Sequence, residues 1–171
     1  DEPPPELGFT YGEQANVSDV QISADGSTLA SVSTYEGTKN IMTIVLWDVR
    51  RNKLVRIIGG LKGRQSLLNV VFSPDGNTLL TGVLDGTLRA WSVENGNQLQ
   101  VFQEHTDFVT GVVYSPNGDS VASIDADGNI VVRRADNFDI RWQGKDGRSL
   151  SSLAYTPDGM TVLTGGTSRK V

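Results

Sequence analysis

The chain has 171 residues, 37% of them hydrophobic and 20% charged, which suits one or two globular domains with a buried core and excludes disorder as the main state. It has no cysteine and one histidine, His105, so disulfides, thiol nucleophiles, thiolate metal sites and multi-histidine metal sites are excluded. The net charge of −5, without a basic face, argues against a nucleic-acid partner. No apolar run approaches the roughly twenty residues of a membrane helix.

Residues 1–8 form an acidic, Pro-rich opening with Asp1, Glu2 and Glu6 around Pro3, Pro4 and Pro5. Starting at Asp1 with no charged-then-apolar leader, the chain reads as a processed or excised piece. Nothing marks an oxidising compartment, and the cytoplasm is favoured. From residue 9 onward one unit repeats. Ser23-Ala24-Asp25-Gly26, Ser73-Pro74-Asp75-Gly76, Ser115-Pro116-Asn117-Gly118 and Thr156-Pro157-Asp158-Gly159 recur at intervals of 50, 42 and 41 residues, the period of a propeller blade. Proline presets φ at the first central position of such a turn, and Asp or Asn before Gly supplies side-chain capping and a permissive backbone.

Before each turn an apolar pair alternates as strand neighbours do: Val20 and Ile22, Val70 and Phe72, Val112 and Tyr114, Leu153 and Tyr155. Val17, Leu67, Val109 and Leu150 stand three residues before these pairs, which breaks the alternation and predicts a bulge in this first strand. Second strands follow at 29–31, 79–81, 121–123 and 162–164, each closing on a hydroxyl residue. Asp85-Gly86 and Asp127-Gly128 then mark tight hairpins. Third strands are predicted at 88–93 and 130–134, and at 44–49 in the first unit after an insertion around 35–42. Weaker fourth strands fall at 54–58, 98–102 and 139–142, after turns at Arg51-Asn52, Asn95-Gly96 and Asp136-Asn137. Residues 9–11 match the end of another fourth strand, and helical periodicity persists nowhere for ten residues.

The predicted fold is all-β: a β-propeller of four-stranded antiparallel blades over 9–171, with three full blades and parts of another. Blade strands lie within 17–58, 67–102, 109–142 and 150–171. The ordered set of Ser-Pro-Asp-Gly, hydroxyl, Asp-Gly and Leu88-Arg89-Ala90-Trp91, with Trp47-Asp48 in the first unit, resembles the WD-repeat β-propeller family. That resemblance implies a buried His, Ser/Thr, Asp and Trp set in each blade, and no unit carries all four. Thr81, Asp85 and Trp91 match in the second unit, with Gly63 where His is expected. His105, Ser123 and Asp127 match in the third, with Arg133 in place of Trp. The first has Gly12-Glu13 at the Gly-His position, and the fourth has Asp146 at the His position and Ser168 at the Asp position. The resemblance also implies a longer propeller, most often of seven blades, with this chain as its N-terminal half.

Chemistry finds little support. His105, Asp107 and Ser123 could imitate a catalytic triad, but no nucleophile-elbow glycine motif accompanies them, and a structural histidine fits the family position. Asp125, Asp127 and Asn129 alternate like calcium ligands, yet Gly128 falls before the third ligand and no closing Glu follows at the proper distance. The glycines sit at strand turns, with no helix and Lys to make a phosphate loop. Trp142 is read as packing under the next loop, with a surface anchor as the alternative.

The expected function is therefore a non-catalytic protein-protein interaction scaffold without cofactor or metal. The resemblance implies that the loops entering each first strand form a rim receiving partner peptides or domains, and Arg64, Gln65, Asp107, Phe108 and Arg148 lie there, beside Gln14. Tyr35, in the insertion, is a further candidate, because insertions in repeat proteins map to one face. Two readings compete: the propeller of a hydrolase or peptidase-like protein, or a sensor restraining a linked effector. The remaining half of the propeller, in the same or another chain, is an expected partner, with ring completion by two such fragments a third possibility.

Overall fold

In a computed structural model the described residues are 15–35, 41–62 and 67–168, and they form fourteen strands with no helix among them. The first sheet has the order β1 (Ala15–Ile22), β2 (Thr28–Tyr35), β3 (Ile41–Asp48), β4 (Lys53–Lys62). The second runs β5 (Leu67–Phe72), β6 (Thr78–Val83), β7 (Leu88–Ser92), β8 (Gln98–Phe102). The third runs β9 (Val109–Tyr114), β10 (Ser120–Asp125), β11 (Asn129–Arg134), β12 (Ile140–Lys145), and β13 (Arg148–Tyr155) with β14 (Val162–Ser168) makes a two-stranded fourth. Every pairing is antiparallel.

The repeated turns close identically. Ser73 Oγ donates to Asp75 and accepts the Thr78 amide at 2.9 Å, while the Gly76 amide donates to the Ser73 carbonyl at 2.8 Å. Ser23, Ser115 and Thr156 do the same for their turns. Gly76 sits at φ +72°, a region that L side chains enter at a cost of about 1–2 kcal/mol.

The predicted bulge is present in every first strand. Pairing skips Ser18, Leu68, Thr110 and Ser151, the residue after each of Val17, Leu67, Val109 and Leu150. A second bulge, absent from the sequence reading, skips Val55, Leu99 and Arg141 on the fourth strands. The insertion around 35–42 differs from expectation. It lengthens β2 and β3, which pair out to Tyr35 and Ile41, and the Ser33 and Thr43 hydroxyls meet across the pair at 2.9 Å.

The first strands β1, β5, β9 and β13 lie side by side in that order. Asp19 accepts the Val70 amide at 3.0 Å, Asn69 donates to the Val109 carbonyl at 3.1 Å, and Thr110 donates to the Leu150 carbonyl at 2.8 Å. The core lies between sheets. Ala30, Val32, Ile44, Leu46 and Ile58 of the first meet Leu67, Val70, Phe72, Leu79 and Trp91 of the second. Leu80, Leu88, Ala90 and Phe102 of the second meet Tyr114 and Val121 of the third. Neither face of one sheet can be buried by that sheet alone, so stacking makes the domain.

Candidate functional site

Antiparallel order puts the β6–β7 and β10–β11 turns at the same end of the stack as the β8–β9 and β12–β13 connections. Neighbouring sheets interlock there. Gly86 lies against the carbonyls of His105 and Asp107, and Gly128 against those of Asp146 and Arg148, so the turn of one sheet supports the connection entering the next.

The connection before β9 is fixed from beneath. His105 is buried, with Nε2 2.7 Å from Ser123 Oγ and Nδ1 3.3 Å from Asp125 Oδ2. Burial holds the imidazole below its ordinary range, with Asp125 opposing the shift, so the ring is neutral at pH 7. For Asp125 burial works the other way, but hydrogen bonds from the Asn129 side chain and amide and the Thr106 amide outweigh it and keep the carboxyl low. Asp125 thus ties down both the connection through Thr106 at 3.0 Å and the adjoining turn through the amides of Asp127 and Asn129. The Asn129 amide group also donates to Thr106 Oγ1 at 2.7 Å, and the Ala126 amide to the Phe108 carbonyl at 3.0 Å.

Phe108 stands on this support with 48% of its surface exposed, beside the fully buried Val109. A large ring held outward on a fixed loop can bury much apolar area against a partner at little ordering cost. Asp107 is part-buried next to it and accepts the Phe108 amide at 2.8 Å. Arg148 lies at the start of β13, held by two parallel bonds to Asp146 at 3.0 and 2.7 Å. Tyr35 ends β2 opposite Ala15 and Ile41, and Arg64 and Gln65 lie outside the described residues, as do Gln14, Gly63 and residues 9–11.

The expected polar sets are realised in altered form. In the second sheet Trp91 Nε1 donates to Thr81 Oγ1 at 2.9 Å, while Asp85 accepts Arg89 at 2.6 Å and the Thr87 hydroxyl at 2.6 Å. In the third, the carboxylate against His105 Nδ1 belongs to Asp125, two residues before the expected Asp127. Asp127 instead accepts Lys145 Nζ at 2.6 Å, because its place in the hairpin turns it toward β12. Arg133, at the Trp position, lies 4.5 Å above the Phe102 ring, pairs with Glu104 and donates to the Phe138 carbonyl at 2.9 Å. Trp47 is half-buried, between Leu29 and Leu54 in register. Trp142 is half exposed and lies over Gly144, at the position where the other two sheets carry the buried Ile58 and Phe102.

Sequence reasoning missed Asp125, Asn129, Thr106, Glu104 and Arg89 as supporting residues. The Asp125, Asp127, Asn129 alternation was the available signal, and its oxygens serve backbone amides and neighbouring side chains.

The stack of four-stranded antiparallel sheets, joined in sequence and interlocked at one loop rim, defines a repeat protein of the propeller class. The model of the WD domain, G-beta repeat matches residues 53–92 and 96–133. The periodic tryptophan protein 2 homolog of Schizosaccharomyces pombe is 26% identical over 160 residues, covering 94% of this chain and 15% of that protein. The guanine nucleotide-binding protein beta subunit of Arabidopsis thaliana is 34% identical over 115 residues, covering 64% and 29%. Protein groucho of Drosophila melanogaster is 37% identical over 79 residues, covering 46% and 10%. Residues 53–92 and 96–133 thus carry the match to WD repeats, and the chain spans less than a third of each of these three relatives.

Proposed function

We propose that the chain is a non-catalytic protein-interaction module that grips partner peptides or domains through its loop rim, with Phe108 as the anchor and Asp107, Arg148, Tyr35, Arg64 and Gln65 as further candidate contacts. The observation that carries this reading is Phe108 held half exposed on a connection locked by His105, Asp125 and Asn129. The name of the Arabidopsis thaliana relative, which makes it one component of a larger protein, agrees with work in complexes. The negative net charge favours a protein over a nucleic acid. No cofactor, metal or membrane contact is part of this reading.

A photo-crosslinking amino acid placed at position 108 tests it, with position 99 on the outer strand as the comparison, in cells expressing the full-length protein. The expected result is adducts with one discrete protein from 108 and none from 99. Adducts from 99 alone, or ester or peptide turnover of the full-length protein lost with a single rim substitution, would overturn it.

A further inference from the structure

The chain is acidic as a whole and its sequence reads as lacking a basic face, yet four cations gather at one turn. Arg50, Arg51, Lys53 and Arg56 fall within 50–56, a run without Asp or Glu, which leaves the rest of the chain more acidic than the whole. They sit on and beside the β3–β4 turn, at the end of the stack opposite the β6–β7 and β10–β11 turns. Pairing of Asp48 with Thr28, Ser92 with Thr78 and Arg134 with Ser120 aligns the turns after β3, β7 and β11, and each has a left-handed residue at the same place, Asn52, Gly96 and Phe138. Arg50, Arg51 and Lys53 then correspond to Glu94, Asn95 and Asn97 of the second sheet and to Asp136, Asn137 and Asp139 of the third. The turn itself does not require cations, because the other two sheets build it from neutral and acidic residues.

This surface lies on the outer edge of the stack. Glu94, Asn97, Gln98 and Leu99 hold the same positions on the second sheet, which has a neighbour on each side, and they are exposed as well. Leu54 and Val55, 42% and 52% exposed, continue the cations onto β4. The carboxylates of the first sheet at this end are engaged. Asp48 accepts the Arg51 amide at 2.8 Å and its guanidinium at 3.1 Å, and Asp25 accepts Ser23 Oγ at 2.6 Å and the Ser27 amide at 3.0 Å. Arg50 and Lys53 form no ion pair among the described residues. The Arg51 side chain is 79% exposed, and so weak a surface pair leaves its guanidinium able to turn to an incoming carboxylate. Arg56 donates to the carbonyls of Glu94 and Asn95 at 2.7 and 3.2 Å, which fastens β4 to the turn of the next sheet.

We infer that the β3–β4 turn and the start of β4 dock an acidic segment of a partner protein, its carboxylates on Arg50, Arg51 and Lys53 and its apolar side chains on Leu54 and Val55. Charge complementarity selects the acid. The apolar pair beside the cations selects a peptide over a phosphate backbone, and the acidic remainder of the chain repels an extended polyanion. The surface is separate from the Phe108 rim, so the inference stands independently of the reading above.

Fluorescence anisotropy of a short labelled peptide alternating Glu with Leu, added to the full-length protein, tests it, with the same peptide carrying Gln for Glu as the comparison. The Glu peptide should bind, more weakly as salt rises, and the Gln peptide should not. Arg50→Glu combined with Lys53→Glu should weaken binding at least roughly tenfold, because like charges then face each other, and Arg50→Gln with Lys53→Gln should lose less. Leu54→Ser should weaken binding as well. All three positions are exposed, and circular dichroism checks that folding is unchanged. Phe108→Ala should leave binding as it was. No binding of the Glu peptide, equal binding of both peptides, no effect of the charge reversal, or tighter binding of a DNA duplex or of phosphatidylserine vesicles through the same residues would overturn the inference. Loss with Phe108→Ala and not with the charge reversal would put the peptide on the rim, overturning this inference and leaving the rim reading intact.

Discussion

His105 lies buried beneath the connection that carries Phe108, and its replacement should be felt across the rim. Its ring satisfies the Ser123 hydroxyl in a buried setting and borders Asp125. His105→Ala leaves these groups without their neighbour, and an unsatisfied buried polar group costs about 1–3 kcal/mol. Urea denaturation should show a loss in that range. The pH dependence has a definite sign. Burial holds the folded-state imidazole below its ordinary 6.5, so the unfolded chain takes up the proton first and stability falls as pH drops below that value. The Asp125 carboxyl, held below 3.8, adds a second loss as pH falls through its own lower value. Thermal melts from pH 7 to 5 should therefore decline, and His105→Gln should flatten the decline. Equal slopes for both proteins would refute the assignment.

At the scale of the strands, Gly82 marks a close approach of the second and third sheets. A Cβ there would meet Asn69 Oδ1 at 2.6 Å and both the side chain and carbonyl of Val109 at 2.8 Å. Gly82→Ala must displace the Asn69 bridge between β5 and β9, and overpacking of this kind costs about 1–3 kcal/mol. Chemical denaturation should show that loss, whereas Gly147→Ala, with open space around it and no left-handed φ, should change little. The strands and their turns were legible in the sequence because their causes are local: proline's fixed φ, the left-handed Gly after Asp or Asn, and alternation broken by one residue. Tertiary choices were not legible. Spacing could not decide whether Asp125 or Asp127 would face His105, since one hairpin carries both. It also could not show that Trp142 would cover Gly144 where its counterparts place a side chain of their own. Phe108 was legible as a rim residue, but its outward orientation depends on the bonds beneath it.

For the whole molecule, stacking sets an order of stability. The second and third sheets pack against a neighbour on both sides, whereas Val20 of the first and Leu163 of the fourth are exposed. Amides of β6 and β10 should exchange with solvent more slowly than those of β2 and β14. Equal protection of all four would contradict the layered packing. Binding at the rim makes a narrower demand, that an exposed loop be rigid before any partner arrives. Hydrogen exchange at the rim tests this most directly. In the free protein the amides of Thr106, Ala126, Asp127 and Asn129 should be strongly protected, and Asp125→Ala should release Thr106, Asp127 and Asn129, whose amides it accepts. Exchange of these amides at the rate of an unstructured loop in the unaltered protein would contradict a preformed binding rim.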